Sequence, residues 1–373
     1  MIPHPRDILM PQATALIRNY AFAAEQKGRL TDEVLDWLQQ EQALRILIPE
    51  DCGGLEWPLP KVVAYFEALA WADGNLGWLV NLGAGANMFA GYFDRLTARQ
   101  LFTDKRIWCA GSGANSGKAV RVDGGYRITG RWKYASGSAH ATHFTANAVL
   151  VGPGDRDDSA DLSPDSAAPD FRSFIFRRAD VQVLDSWQVT GLCATSSNDF
   201  AVSDLFVPDA HVFSLVEPST FAHGPLYRFP FETLAVVNMA CMPTGLALHF
   251  IDLFAELIAE KKPLHRTNPL KDDPLLKTIF AETVDSFLAA RTQMFMVLKQ
   301  VWMRYEQQEV VEQQLLMHLT MAARHAVAEA RSLICQLYSF GGMNMVFTRS
   351  PLNKVWRDFA VASQHYLLSP LNL

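Results

Sequence analysis

The chain has 373 residues, 49% hydrophobic and 19% charged, with a formal net charge of −6, which gives ample apolar surface for a core and length for about two or three domains. No lysine- or arginine-rich run could neutralise a nucleic-acid backbone or an anionic lipid surface, so nucleic acid is not an expected partner. The opening Met1-Ile2-Pro3-His4-Pro5-Arg6 lacks the pattern of a signal peptide, no apolar run is read as reaching the ~20 residues of a membrane span, and the five scattered cysteines have neither disulfide nor zinc spacing. These features predict a cytoplasmic protein without a membrane or metal partner.

From Gln12 to about Arg106 the apolar spacing is helical; Thr31-Asp32-Glu33 opens one helix with Val34, Leu35 and Leu38 on its apolar face, and Ile46-Leu47-Ile48-Pro49 ends that segment. Between Trp108 and Val216 the signals become short β-rich runs, Tyr126–Thr129, Phe144–Leu150 and Phe171–Phe176, separated by Gly and Asp turns. Asp123-Gly124-Gly125 is a strong hairpin signal, because glycine supplies positive φ without steric cost. The stretch from Gly152 to Asp170, rich in Asp, Ser, Ala and Pro, reads as a mobile acidic surface loop.

Helical patterns return at Leu234–Glu260, Leu275–Tyr305 and Val310–Phe340, with Gly341-Gly342 as a stop and a shorter helix after it. Together they predict a four-helix bundle whose Met, Leu and Ala faces are core. His318 and His325 share a helical stretch, but no carboxylate or cysteine completes a metal-ligand set. The expected organisation is therefore an N-terminal helical domain over 1–106, a β domain over 107–216 and a C-terminal bundle over 225–373.

That order resembles the acyl-CoA dehydrogenase superfamily, an α+β multidomain fold with a central β-barrel or sandwich domain. Leu47-Ile48-Pro49-Glu50-Asp51-Cys52-Gly53-Gly54 is similar to the family's Pro-x-x-x-Gly-Gly turn. Gly117 through His140 (GKAVRVDGGYRITGRWKYASGSAH) resembles a run of its two-component flavin hydroxylases, as do Trp187–Leu192 followed by Thr195-Ser196-Ser197-Asn198-Asp199-Phe200, and the tail from Ser350 through Arg357-Asp358 to Gln364-His365. The similarity spans nearly the whole chain.

The resemblance implies the oxygenase component of a two-component flavin monooxygenase, with reduced FAD or FMN and O2 as co-substrates, a separate flavin reductase as partner, a homotetrameric assembly and an aromatic or apolar small-molecule substrate. Ser136 would hydrogen-bond the flavin near its reactive nitrogen, and Trp132 would border the ring. His365 would approach from the C-terminal domain, where an ordinary pKa near ~6.5 would let it act as acid or base. Gly111, Ser112 and Gly113 would reach the flavin pyrimidine or phosphates, Thr195 and Ser196 would lie along the cofactor, and Arg357 and Asp358 would support the site. Asn87, Phe89, Phe93 and His140 are the expected substrate pocket. His143 is a second candidate for the histidine that many hydroxylases carry after a Gly-Trp pair and that is missing after Gly77-Trp78.

Each of these residues also has a plainer reading: Trp132 as a core aromatic, Ser136 as a strand-end turn, Arg357-Asp358 as a helix-end ion pair. No Gly-x-Gly-x-x-Gly unit on a βαβ pattern offers a nicotinamide site. A true dehydrogenase needs a carboxylate base. The family's two positions for it read Gln364-His365-Tyr366-Leu367 and Val236-Val237-Asn238-Met239-Ala240-Cys241, without an acid. A dehydrogenase-like enzyme with a displaced base, and a non-catalytic flavin-binding relative, stand as alternatives.

Overall fold

The computed structural model describes residues 2–152, 170–215, 220–264 and 267–372. The acidic stretch expected as a loop lies, apart from its ends, outside the described residues. Five helices come first: α1 (Pro11–Lys27), α2 (Asp32–Gln40), α3 (Leu59–Ala72), α4 (Gly74–Asn87) and α5 (Arg95–Phe102). Local chemistry sets their ends: Gly28 closes α1 at φ 65°, and the Asp73 carboxylate accepts from Leu76 N to cap α4. The turn after Pro49 needs its glycines. Gly53 has φ 71°, and a Cβ on Gly54 would sit 2.0 Å from the Ile48 carbonyl oxygen.

The middle of the chain forms one seven-stranded sheet: β1 (Cys109–Val122), β2 (Gly125–Ala135), β3 (His143–Val151), β4 (Phe171–Arg177), β5 (Gln182–Leu184), β6 (Asn198–Pro208) and β7 (Val212–Phe213), in spatial order β5-β6-β2-β1-β3-β4-β7. The expected hairpin closes on Asp123 and Gly124, with Val122 paired to Gly125 and Gly124 at φ 73°. β1 and β3 run parallel; the other pairs are antiparallel. In a flat sheet, strands three places apart stand about 14 Å from each other. Here Phe144 on β3 and Phe200 on β6 have ring centroids 4.9 Å apart, and Tyr126 on β2 and Phe174 on β4 are 5.4 Å apart. The sheet is therefore curled round its own apolar core, the barrel-like form expected.

The remaining helices are α6 (Pro225–Arg228), α7 (Phe231–Glu260), α8 (Pro274–Glu306), α9 (Gln313–Gly341) and α10 (Pro351–Ala362). By length and composition α7 could cross a membrane, which the sequence reading did not credit, but 89% of its most apolar window is buried inside the molecule, so it is a core helix. The N-terminal helices and the bundle share one apolar core, whereas the sheet keeps a second one. Glu67 on α3 anchors the shared core: its carboxylate meets Arg291 of α8 at 2.6 Å and the Thr244 hydroxyl of α7 at 2.8 Å, all three buried. Such a pair costs desolvation, yet removing one partner is strongly destabilising.

Candidate active site

A cleft of about 230 Å³ opens where α4, the start of β1, the end of β2, β3, the N-terminal half of α7 and the C-terminal residues converge. Ser136 and His365, predicted from distant motifs, both line it, as do Gly111, Ser112, Gly113 and Phe89. The walls are mostly apolar, with Phe213 and Phe231 facing Phe89 at centroid distances of 5.0 and 5.6 Å. A pairing irregularity between Ser112 and Gly117 of β1 opens the strand at the cleft's edge.

Two features fit a planar ring system with a polar edge. A Cβ placed on Gly85 of α4 or on Gly113 of β1 meets nothing within 4 Å, so these cleft-lining glycines leave space that a side chain would fill. Asn238 of α7, also in the lining, has a buried Oδ1 with no hydrogen-bond partner in the protein, an acceptor awaiting a ligand donor. The residues present fit an isoalloxazine: Gly111–Gly113, Ser136, Asn238 and His365 could hold it.

Ser136 sits just beyond β2, behind Tyr134 at φ 66°, and its neighbour Gly137 N donates to Thr195 O in the turn between Leu192 and Ser196, at φ 52° and 44°. Left-handed backbone at non-glycine residues costs roughly 1–2 kcal/mol each and persists where the surroundings enforce it. The Ser136 hydroxyl accepts from Trp78 Nε1 at 3.0 Å and lies 2.7 Å from the Ser197 hydroxyl, which is in turn 2.7 Å from that of Thr195. Thr195 is thus two hydroxyls behind the cleft and does not line it. Ser196 donates instead to the Gly28 carbonyl at 2.5 Å.

His365 stands edge-on to Trp78 at 5.9 Å. Burial pushes its imidazole down to about 4, so at neutral pH it is uncharged; the expected value near 6.5 is corrected by desolvation. Its Nδ1 accepts from Leu367 N at 3.4 Å, which assigns the proton to Nε2 and makes this cleft-lining ring a neutral donor.

Several expected positions lie elsewhere. Trp132 is wholly buried in the sheet core, stacked on Phe200 and donating its indole N–H to Asn147 O at 2.8 Å; it does not border the cleft, so the plainer reading of it holds. Asn87 commits its amide to structure, donating to Leu44 O and Ile107 O and accepting from Cys109 N. Phe93 packs behind the wall against Phe213 and Phe102. His140 accepts from Leu30 N, lies against Trp108 and faces a different hollow, and burial holds it neutral, at about 4. His143, held down by burial, bonds to its neighbour Thr142 and lines no part of the cleft.

Arg357 and Asp358 act from behind. Arg357 pairs with Glu25 of α1 at 2.5 Å and donates to Thr190 O. Asp358 accepts from Leu192 N at 2.6 Å and shares Lys354 Nζ with Asp73, at 2.8 and 2.6 Å, all three buried. Burial alone would push the Lys354 ammonium down, but the two carboxylates outweigh it and raise its pKa. Asn75 completes the lock by accepting from Ala194 N at 2.8 Å and donating to Asp358. This network ties α4 and α10 to the loop that carries Thr195 and Ser197. Sequence reasoning missed Lys354, Trp78, Ser197 and Asn238. Trp78, Ser197 and Lys354 stand inside the motifs that bear on the resemblance, and Asn238 in the segment that lacks the dehydrogenase acid.

Helical N-terminal segment, curled sheet and helical bundle converging on one mostly apolar cleft form the architecture expected of the acyl-CoA dehydrogenase type. Residues 237–370 match the acyl-CoA dehydrogenase C-terminal domain family. The chain is 28% identical over 375 residues to the flavin-dependent monooxygenase oxygenase subunit HsaA of Rhodococcus jostii, covering 98% of this chain and 94% of that protein. It is 31% identical over 268 residues to a pigment production hydroxylase of a Rhodococcus species, covering 69% and 66%. The solved structure of XiaF from a Streptomyces species, in complex with FADH2 and glycerol, superposes with a TM-score of 0.84 at 23% identity, over 96% of this chain and 90% of that one. The chain belongs to the acyl-CoA dehydrogenase superfamily, in its branch of flavin-dependent monooxygenases.

Proposed function

We propose that this chain is the oxygenase component of a two-component monooxygenase, which takes reduced flavin from a separate reductase and uses O2 to hydroxylate an aromatic or otherwise apolar small molecule. The observation that carries this reading is the cleft's polar set, the hydroxyl residues Ser112, Ser136, Thr145 and Tyr366, the neutral imidazole of His365 and the orphaned amide oxygen of Asn238 among mostly apolar walls, with no carboxylate among the described lining residues. Removal of an α-proton needs such a base. A bound reduced flavin would supply the two electrons that place one oxygen atom of O2 in the substrate and release the other as water. The protein's part is to exclude water with Phe89, Phe213 and Phe231, to orient the ring edge with Ser136, and to present the Nε2 proton of His365.

The test mixes protein and anaerobically reduced FMN or FAD with oxygenated buffer. Reoxidation slower than that of free flavin, faster again in Ser136→Ala, supports the reading, and a screen of phenols and other aromatics then seeks a product carrying one atom from 18O2. Reoxidation identical to free flavin, with reduction of an FAD-loaded sample by acyl-CoA thioesters, would replace it with the dehydrogenase alternative.

A homotetramer and a cytoplasmic location complete the proposal. Exposed Met296 and Met303 on α8 and Met317 and Met321 on α9 form apolar surface that association would cover. Five free cysteines accord with a reducing compartment. Light scattering on the purified protein tests the tetramer.

A further inference from the structure

We propose that Ser197 and Thr195 are positioning residues that fix the direction of the Ser136 proton, so that the cleft-facing hydroxyl meets its ligand as an acceptor and favours reduced over oxidised flavin; this rests on the reading of the cleft as a flavin site. One chain of contacts fixes where each proton lies. At one end, Trp78 Nε1, 3.0 Å from Ser136 Oγ, can only donate. At the other, the Leu192 carbonyl can only accept, and Thr195 Oγ1 lies 2.8 Å from it. That contact consumes the single Thr195 proton. The 2.7 Å contact between Thr195 and Ser197 must then be bridged by the Ser197 proton, and the 2.7 Å contact between Ser197 and Ser136 by the Ser136 proton.

Every hydroxyl proton is thereby used, and what Ser136 has left for the cleft is a lone pair. The opposite direction would leave Thr195 Oγ1 and Leu192 O facing each other at 2.8 Å with no proton between them, and would expose an unpaired Ser136 proton. The Leu192 carbonyl also accepts from Trp187 Nε1 at 3.0 Å and from Thr195 N at 3.1 Å, so it is an acceptor on all sides. It cannot drift away, because the Leu192 and Ala194 amides are pinned by Asp358 and Asn75. Rotation of the three hydroxyls is further limited by their burial, at 5%, 2% and 0% exposure for Ser136, Ser197 and Thr195.

The two redox states of the flavin differ at this kind of contact. Ring nitrogens that present lone pairs in the oxidised isoalloxazine carry hydrogens in the reduced one. An acceptor hydroxyl is complementary to the second and opposed to the first, and one matched against one mismatched hydrogen bond is worth about tenfold in affinity.

Anaerobic equilibrium dialysis with oxidised and with dithionite-reduced FMN and FAD, together with the reduction potential of the bound flavin, tests the proposal. Wild type should bind the reduced form about tenfold tighter or more. In Ser197→Ala the Ser136 proton loses its acceptor, and in Thr195→Val the Ser197 proton turns back onto Ser136; in both, Ser136 can donate into the cleft. The reduced-to-oxidised ratio should fall about tenfold in each, a drop of about 30 mV in potential. Thr195→Ser should restore it. An unchanged ratio in both folded variants overturns the proposal, as does a wild type that binds the oxidised form equally well or better. If wild type binds neither form, the flavin reading itself fails, and the hydroxyl argument fails with it.

Discussion

At the scale of single residues, the cleft holds groups whose worth depends on a bound ligand. Asn238 Oδ1 is buried and unpaired, which costs the unliganded protein about 1–3 kcal/mol. Asn238→Leu, similar in size, should therefore raise the melting temperature by a few degrees while weakening substrate or flavin binding about tenfold. Calorimetry and equilibrium binding on the same preparation check both halves, and an Asn238→Leu protein that binds as wild type would show the amide oxygen to be a bystander. Gly85 makes the complementary case. Nothing lies within 4 Å of its Cβ position, so Gly85→Ala should stabilise α4 by about 0.5–1 kcal/mol. Gly85→Leu should leave the fold intact and close the cleft to flavin.

Among the secondary elements, α4 and α10 matter most for the site. Their junction is the buried trio of Asp73, Lys354 and Asp358, which also grips Leu192 N. Lys354→Met removes the one cation and leaves two buried carboxylates, so a loss of about 3–5 kcal/mol is expected, read as a fall in thermal midpoint. The paired change Lys354→Met with Asp358→Asn should recover part of it. Because the same network holds the loop bearing Thr195 and Ser197, either single change should also loosen flavin binding, although neither residue touches the cleft.

For the whole molecule, the buried histidines set an acid limit. Burial holds His140 and His365 at about 4 and His249 well below its ordinary 6.5. As pH falls through 6.5 the unfolded chain takes up a proton at each imidazole, while the folded chain declines it, at His140 and His365 until about 4. The stability that His140 and His365 contribute is thus full above 6.5 and is lost between 6.5 and 4, by about 1.4 kcal/mol per unit for each, and His249 acts in the same direction. The melting temperature should drop steeply from pH 7 to 5, and less steeply in His365→Gln. Activity should show no ionisation of His365 between pH 6 and 9; a His365-dependent step near 6.5 in the pH profile would contradict its neutral state.

What was legible in the sequence follows from what is local. Helical and strand periods, the Asp123-Gly124 turn and the glycine stop after α9 are fixed by contacts a few residues apart, so the order of elements could be read directly. The Ser136 and His365 motifs were legible because their spacing resembles a known family. Position across the fold was not. Trp132 looked like a ring-bordering aromatic, yet strand alternation on a curled sheet points it into the β core. His140 and Asn87 had the right chemistry but were claimed by Leu30 N, Cys109 N and backbone carbonyls far along the chain. The sequence alone determined which side chains are available; only the tertiary structure decided which protons are already spoken for and which groups are stripped of water. Both depend on partners brought from far along the chain, 283 residues away in the contact of Asn75 with Asp358 and 332 in that of Arg357 with Glu25.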